Sequence, residues 1–412
     1  MRAFNNELIT FIDASPTPFH AVGQMVQKLR AEGFIPLEET QVWNLEAGRR
    51  YYVTRNDSSI VAFTYPPSSD KGYTIVGAHT DSPHLRLKPR PLTTAAGVKR
   101  LGVEPYGGVL LNPWFDRGLG LAGRIVYLEG ETRKEALITI DAPIAVIPSL
   151  AIHLDREANS SRSINAQTDI VPIVSTGEVE IETFLLSQVS ESPEGLKLLA
   201  HELSFFDVQK GSYAGINNEF ILSARLDNLL SCFIALKAIT DTQEPMMIAC
   251  MDHEEVGSDS LAGAGGTFLE SVFQRISGEE YPMLMRRSLM VSCDNAHAQH
   301  PNFPAKHESE HAPLLNRGVA IKINSNQRYA TSARTQGRFS QCADALGIST
   351  QVFVTRSDMG CGSTIGPITS TRLGIETIDV GIPQLSMHSI RELCGSEDSY
   401  GLYRILTRIG EY

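Results

Sequence analysis

Long apolar runs are missing from this sequence. The most apolar stretch, ALITIDAPIAVIPSLAIHL, is broken by Asp141, Pro143 and Pro148, short of the roughly 18 to 20 consecutive apolar residues of a membrane span, so no membrane partner is expected. The opening MRAFNNELITFIDASPTPFH lacks a basic flank, an unbroken apolar core and a small-residue cleavage site, which argues against a secretory signal and for a cytoplasmic address. Positive charge is also short. The 36 Lys and Arg face 47 Asp and Glu, a formal net charge of -11, and a field of that sign repels phosphate backbones, so nucleic acid is not an expected partner. Cysteine is scarce and confined to the second half, at 232, 250, 293, 342, 361 and 394, with no C-x-x-C pair. That pattern excludes a disulfide framework or thiolate zinc knot and reads as mostly reduced core thiols. No internal repeat or low-complexity tract is visible.

What is present is ordinary globular composition, 42% hydrophobic and 20% charged. A chain of 412 residues suggests two or three domains at roughly 150 residues each. It buries enough surface to need no staple, so any metal would be functional. The first segment reads as helix, NELITFIDA, followed by Thr17 as an N-cap before Pro18 and a periodic run closed by Gly33. Two β-rich runs, YYVTRN and SIVAFTYP, precede a buried-strand pattern, YTIVGA, that ends at His79. From about Pro89 to Glu219 the texture changes to short runs (GVLLNPW, GRIVYLE, EALITI, IAVIP, DIVPIV) divided by Gly, Pro and Asp, a β-rich insert. Alternating helix and strand patterns then resume to the end, among them a helix from Tyr329 over YATSARTQGRFSQCADAL, so the simplest architecture is one α/β domain interrupted by a β domain.

Ligands of open α/β sheets bind beyond the carboxyl ends of the strands. In this chain those positions are crowded with imidazole and carboxylate. His79, Thr80 and Asp81 follow one strand pattern, Asp252 to Glu255 a second and Asp294 to His297 a third; His388 follows a fourth, and Asp227 opens the helix after the insert. Such groups hold zinc where no thiolate is used. Each alone also fits a hydrogen-bonded structural residue. Asp81 stands where it can accept the second ring N–H of His79 and set its tautomer. Glu254 and Glu255 are the sharpest signal, because adjacent carboxylates after an apolar strand repel each other unless a cation or proton relieves them. One can ligate metal while the other receives the proton of an attacking water.

Seven segments, GAHTDSPHLRLKP, ARLDNLLSCF, DHEEVGS, VSCDNAHAQHPNF, IKINSNQRYAT, TRSDMGCGSTIGPI and QLSMHSIRE, closely resemble, in the same order, the aspartyl aminopeptidase family of co-catalytic zinc exopeptidases. The resemblance implies a zinc-exopeptidase-like α/β/α catalytic domain, residues 1–89 and 220–412, interrupted by a β-rich dimerisation domain at 90–219. It further implies two divalent ions per subunit, zinc or, with the same ligands, cobalt or manganese. His79, Asp227 and Asp294 would hold one ion; Asp227, Glu255 and His388 would hold the other, with Asp227 bridging. Glu254 would be the general base and Asp81 the residue that orients His79. His153, in the insert segment SLAIHLDR, would reach a neighbouring subunit's site and stabilise the oxyanion.

Lys322 and Tyr329 would line the substrate pocket, with Met359 and Gly360 in a backbone-rich wall. A local cation there suits peptides that begin with Asp or Glu, which the overall negative charge cannot steer. The expected partners are small peptide substrates and further copies of the chain, in a dimer-based assembly, commonly a dodecamer. Cys361 and Ser363 carry no signature of a nucleophile with its base, and the stretch 358–363 lacks the spacing and lysine of a nucleotide loop. The histidines at 297, 300, 307 and 311 read as a loop near the site. A dizinc deacylase or carboxypeptidase is the enzymatic alternative, and a catalytically silent assembly protein the non-enzymatic one, although every expected ligand and the base are present.

Overall fold

Successive side chains of a strand face opposite sides of its sheet, and in the central strands of this chain both sides are apolar. Ile60, Ala62, Val76, Ala78, Met246, Ile248 and Cys250 enter one core, while the residues between them, Val61, Ile75, Met247 and Ala249, enter another. A sheet that is apolar on both faces has to be covered on both. The first face receives helices Arg2–Asp13, Pro18–Ala31, Leu226–Asp241, Ala333–Ala345 and Asp398–Leu406. The second receives Phe268–Ser277, Tyr281–Arg287 and Ile365–Leu373. The helix Leu226–Asp241 is buried almost all round, as its hydrophobic sequence requires.

This is the architecture of a computed structural model that describes residues 1–66, 71–242 and 244–412. The chain divides into two compact units. One comprises Met1–Asp81, Gly211–Met387 and Glu392–Tyr412, and the other Ser82–Lys210 and His388–Arg391. The first contains the nine-stranded mixed sheet just described. Within it Thr74–His79 lies between Met246–Met251 and Leu289–Cys293 and parallel to both, with Met251 opposite His79 and Ser292 opposite Gly77. Their carboxyl ends therefore emerge at one edge, and the segments that follow them start there. A smaller sheet of the same unit joins Ser212–Ala214, Phe220–Ser223, Glu392–Gly395, Pro383–Leu385 and Ala296–His297.

The second unit is built on a six-stranded antiparallel sheet over a core that includes Leu85, Trp114, Leu121, Phe205 and Ile390. The mixed α/β organisation with a β-rich unit is thus the one expected from the sequence. Local differences have local causes. GVLLNPW is not a strand; its end forms a short 3-10 turn, Asn112–Trp114, around its proline. The helix expected from Tyr329 begins only at Ala333, because Ser332 caps it in a reciprocal pair with Thr335. Thr17 sits at the N-cap, but its hydroxyl pairs with His20 Nδ1 at 2.7 Å instead of a backbone N–H. Among the described residues no helix is long and apolar enough to cross a membrane, and all six cysteines are free thiols.

One close approach ties the sheet to the segment after Cys293. A methyl group added at Gly381 would stand 1.9 Å from the carbonyl oxygen of Asp294. Gly381→Ala is therefore expected to lower stability by about 1–3 kcal/mol, the usual range for overpacking, read as a lower urea midpoint. An unchanged midpoint would mean that this contact opens freely.

Candidate metal centre

His79 ends its strand in full burial. Its Nδ1 lies 3.0 Å from the carbonyl oxygen of Asp81 and 3.3 Å from Asp81 Oδ1. A carbonyl oxygen can only accept, so Nδ1 carries the proton and Nε2 is turned to the remaining neighbours. Those are Asp227 Oδ1 at 3.5 Å and Asp294 Oδ1 at 3.7 Å. Asp81 has a further task that sequence reasoning missed: its two carboxylate oxygens accept the backbone N–H groups of Glu254 and Glu255, each at 3.1 Å. The 3-10 turn Glu254–Val256 is reversed by left-handed residues at both ends, His253 (φ 64°) and Gly257 (φ 101°). A glycine suits the second at no steric cost.

Asp227 does not open a helix in the ordinary sense. It and Asn228 have non-helical φ/ψ at the head of Leu226–Asp241, joined by a cis peptide bond. Its backbone N–H donates to Glu392 Oε2 at 2.9 Å, and Asn228 Nδ2 donates to the Cys293 carbonyl at 2.8 Å. The outcome is convergence: His79, Asp227 and Glu255 offer ligand atoms that all lie within 4.8 Å of one another.

Charge is badly balanced at this edge. The carboxyl groups of Asp81, Asp227, Glu254, Glu255 and Asp294 gather around His79, and Lys322 adds an ammonium 3.4 Å from Asp294 Oδ2. Burial disfavours the charge on Asp294, yet Lys322 and His79 hold its carboxyl well below the usual range. Burial pushes Glu254 up to about 8, with Asp294, Asp81 and Asp227 adding repulsion and His79 opposing it. Burial and Asp227 push Glu255 well up. On His79 burial works against the cation, but Asp227, Asp294 and Asp81 outweigh it and raise the imidazole well above its ordinary value. In the bare site, protons thus supply the missing positive charge. One imidazole and several carboxylates are also the donors that suit zinc or manganese, and a divalent ion can take the place of those protons. The donor set fits a metal.

Of the other expected residues, His388 belongs to the second unit. There its Nδ1 meets the Gly108 carbonyl at 3.1 Å, and the same tautomer argument leaves Nε2 with the lone pair. His153 is exposed in the second unit, outside any strand or helix. Lys322 and Tyr329 are buried together in the first unit, with the ammonium 5.4 Å from the ring centroid. Met359 and Gly360 are exposed. Asp379 anchors the segments that carry these residues, accepting the Thr364 hydroxyl and the Ala330 N–H at 2.6 Å each. Ser363 donates to the Arg328 carbonyl, and Cys361 accepts from the Thr355 hydroxyl. Two of the loop histidines brace backbone: His307 Nε2 accepts the His300 N–H and His300 Nδ1 the Asn302 N–H. Glu392 closes the segment QLSMHSIRE but has no role in the sequence reading; an acid at the head of the otherwise apolar strand ELCG is its local signal.

A family model for aminopeptidase I zinc metalloproteases (M18) matches residues 11–408. The chain belongs to the M18 family. A probable M18 family aminopeptidase 2 of Pseudomonas fluorescens (strain Pf0-1) is 50% identical over 416 residues, covering 98% of this chain and 97% of that protein. Among solved structures, Ape4 in its complex with Nbr1 is 38% identical with a TM-score of 0.95, covering 100% of this chain and 86% of that one. The S. cerevesiae mApe1 dodecamer is 30% identical with a TM-score of 0.85, covering 98% and 95%. This M18 protein is accordingly a metal-dependent aminopeptidase, a hydrolase acting on peptide bonds.

The proton count of the site has a measurable sign. Glu254 is raised to about 8 from 4.5, so between those values the folded, metal-stripped protein holds a proton that the unfolded chain has lost. Raised His79 acts in the same direction above its ordinary value. Stability of the stripped protein is therefore expected to fall as pH rises from about 5 to about 8, and Glu254→Gln should make that slope shallower. Thermal midpoints across the range check this, and an equally steep slope in the variant would contradict it.

Proposed function

We propose that this M18 aminopeptidase releases acidic amino-terminal residues, Asp or Glu, from small peptides at a dinuclear zinc centre. The observation that carries the dinuclear reading is the convergence of His79, Asp227 and Glu255, with Asp294 beside His79 in a cluster whose carboxyls outnumber its cations. His79, Asp227 and Asp294 would hold one ion; Asp227, Glu255 and His388 would hold the second. Zinc bound there supplies Lewis acidity toward the peptide carbonyl and lowers the pKa of water.

The remaining steps belong to the chain. Glu254, whose burial raises its basicity once it is ionised, takes the proton of the attacking water and returns it to the leaving amine. Asp81 fixes the His79 ring and, through the Glu254 and Glu255 N–H groups, the turn that carries the base. Lys322 and Tyr329 form the wall that recognises the first side chain, with Met359 and Gly360 at its exposed end. Lys322 is the cation beside Asp294, and its charge favours an acidic residue over a basic one.

The β-rich unit serves dimerisation within a larger homo-oligomer, and His153 acts on a neighbouring subunit's substrate. In support, Leu150, Ile152 and Leu154 around it are 58%, 48% and 74% exposed, an apolar run of the kind that a second copy covers. The 30% identical S. cerevesiae relative is a dodecamer. The free thiols suit a cytoplasmic address.

Initial rates on matched peptides beginning with Asp, Glu, Leu or Lys, with stripped protein before and after zinc, cobalt or manganese, test the reading. Metal-restored release of Asp and Glu is expected; release of neutral residues alone would remove the pocket assignment. Glu254→Gln should keep its metal and lose about 10²–10⁴-fold in kcat, the range for a general base. Substantial turnover in that variant would sink the base assignment. His153→Ala should lose kcat at unchanged oligomer mass, and full activity in a monomeric variant would refute the role across subunits.

A further inference from the structure

The Leu226–Asp227 peptide unit is gripped at both of its polar ends. Its carbonyl oxygen, on Leu226, accepts from Asn295 Nδ2 at 2.9 Å. Its N–H, on Asp227, donates to Glu392 Oε2 at 2.9 Å. The two gripping side chains are joined through a third: Asn295 Nδ2 also reaches Gln384 Oε1 at 2.9 Å, and Gln384 Nε2 reaches Glu392 Oε1 at 3.5 Å. Peptide unit, Asn295, Gln384 and Glu392 form a closed ring. All three side chains are 1–2% exposed, so water does not substitute for them. They come from the smaller sheet of the first unit and from its approach to the larger one: Gln384 lies in Pro383–Leu385 and Glu392 in Glu392–Gly395, which pair with each other. Glu392 also stands opposite Ser223, in the strand that leads to Asp227.

We infer that Asn295, Gln384 and Glu392 are a clamp that positions Asp227 for metal, with Glu392 its principal member. At the head of a helix the ladder leaves the first N–H groups without an intrahelical acceptor, Asp227 and Asn228 also leave helical geometry, and a buried peptide group there must be bonded by side chains. An aspartate that bridges two ions has to present its carboxylate within a few tenths of an ångström. Its short side chain gives it little reach, so its backbone must be fixed. The clamp does this from residues that neighbour other expected ligands in sequence: Asn295 follows Asp294, and Gln384 and Glu392 lie four residues before and after His388. Glu392 acts through Asp227, and partners of this kind usually govern metal affinity by 10–100-fold.

The inference rests on the reading of Asp227 as a metal ligand, and the test separates the two. Zinc affinity is measured by chelator competition on the full chain, beside the thermal midpoint of the stripped protein. Glu392→Ala should weaken zinc about 10–100-fold, and Asn295→Ser, which releases the other end of the peptide unit, should weaken it in the same sense. Glu392→Gln keeps one oxygen for the Asp227 N–H and should fall between wild type and Glu392→Ala, and it serves if the alanine variant does not fold. A lower midpoint in Glu392→Ala or Glu392→Gln with unchanged zinc affinity would overturn the clamp, since a merely structural role gives that split. Asp227→Asn is the control for the underlying reading: full zinc affinity there would overturn the ligand assignment itself, whereas weakened zinc there with unchanged affinity in the Glu392 variants would overturn only the clamp.

Discussion

Mutual repulsion among carboxyl groups is the constraint on which the larger unit depends. Asp81, Asp227 and Asp294 are buried and Glu254 and Glu255 half-buried at the carboxyl edge of three parallel strands. Like charges taken out of water at such distances drive one another toward the neutral form. Much of the surrounding polar structure counters this. His79 faces three of the carboxyls, Lys322 faces Asp294, and Asp81 spends both of its oxygens on backbone N–H groups. What these leave over is made up by protons, which a divalent ion held by the same donors can replace.

The same constraint explains why irregular backbone is concentrated there. A regular helix or strand would aim its side chains by its own period. Here Asp227 and Glu255 instead bring carboxylate oxygens within 4.8 Å of each other and of a ring nitrogen of His79. Left-handed His253 turns the Glu254–Glu255 pair back toward the strand ends, and the non-helical start of Leu226–Asp241 turns Asp227 the same way. Polar groups freed by these departures are met by side chains such as Asn228, Asn295 and Glu392.

The carboxyl-rich edge is legible in the sequence to the extent that it depends on strand ends. YTIVGA, MMIACM and SLMVSC are apolar runs that stop abruptly at His79, Asp252 and Asp294, and a period and its breaking point survive in one dimension. Thus His79, Asp227 and Glu255 were named before their convergence could be seen. Less visible was anything set by pairing between distant segments. Asp81 was read as a partner of His79 alone, because its bonds to Glu254 and Glu255 span more than 170 residues of chain. Gln384 and Glu392 stand at the two ends of the segment QLSMHSIRE, yet their role is not legible there for the same reason: it comes from a small sheet assembled from five separate stretches, none long enough to show a pattern. The helix at Tyr329 was placed too early because a capping pair, Ser332 with Thr335, outranks the periodicity that runs through it.

Burying so much polarity is unfavourable, and the unit tolerates it because the site is an edge feature of a large apolar body. Directly behind His79, Cys232 and Cys250 lie in the first core with Val76, Ala78 and Ile248, and Cys232 donates its thiol proton to the His79 carbonyl at 3.0 Å. Met251 and Phe268 close the opposite face. Side chains packed in this way have few alternative rotamers, so the strand ends cannot recoil from one another when their carboxylates ionise. Repulsion that would open a loop-built site is here borne by the sheet. A cation entering such a site meets ligands already held in place, and the binding energy is not consumed in assembling them.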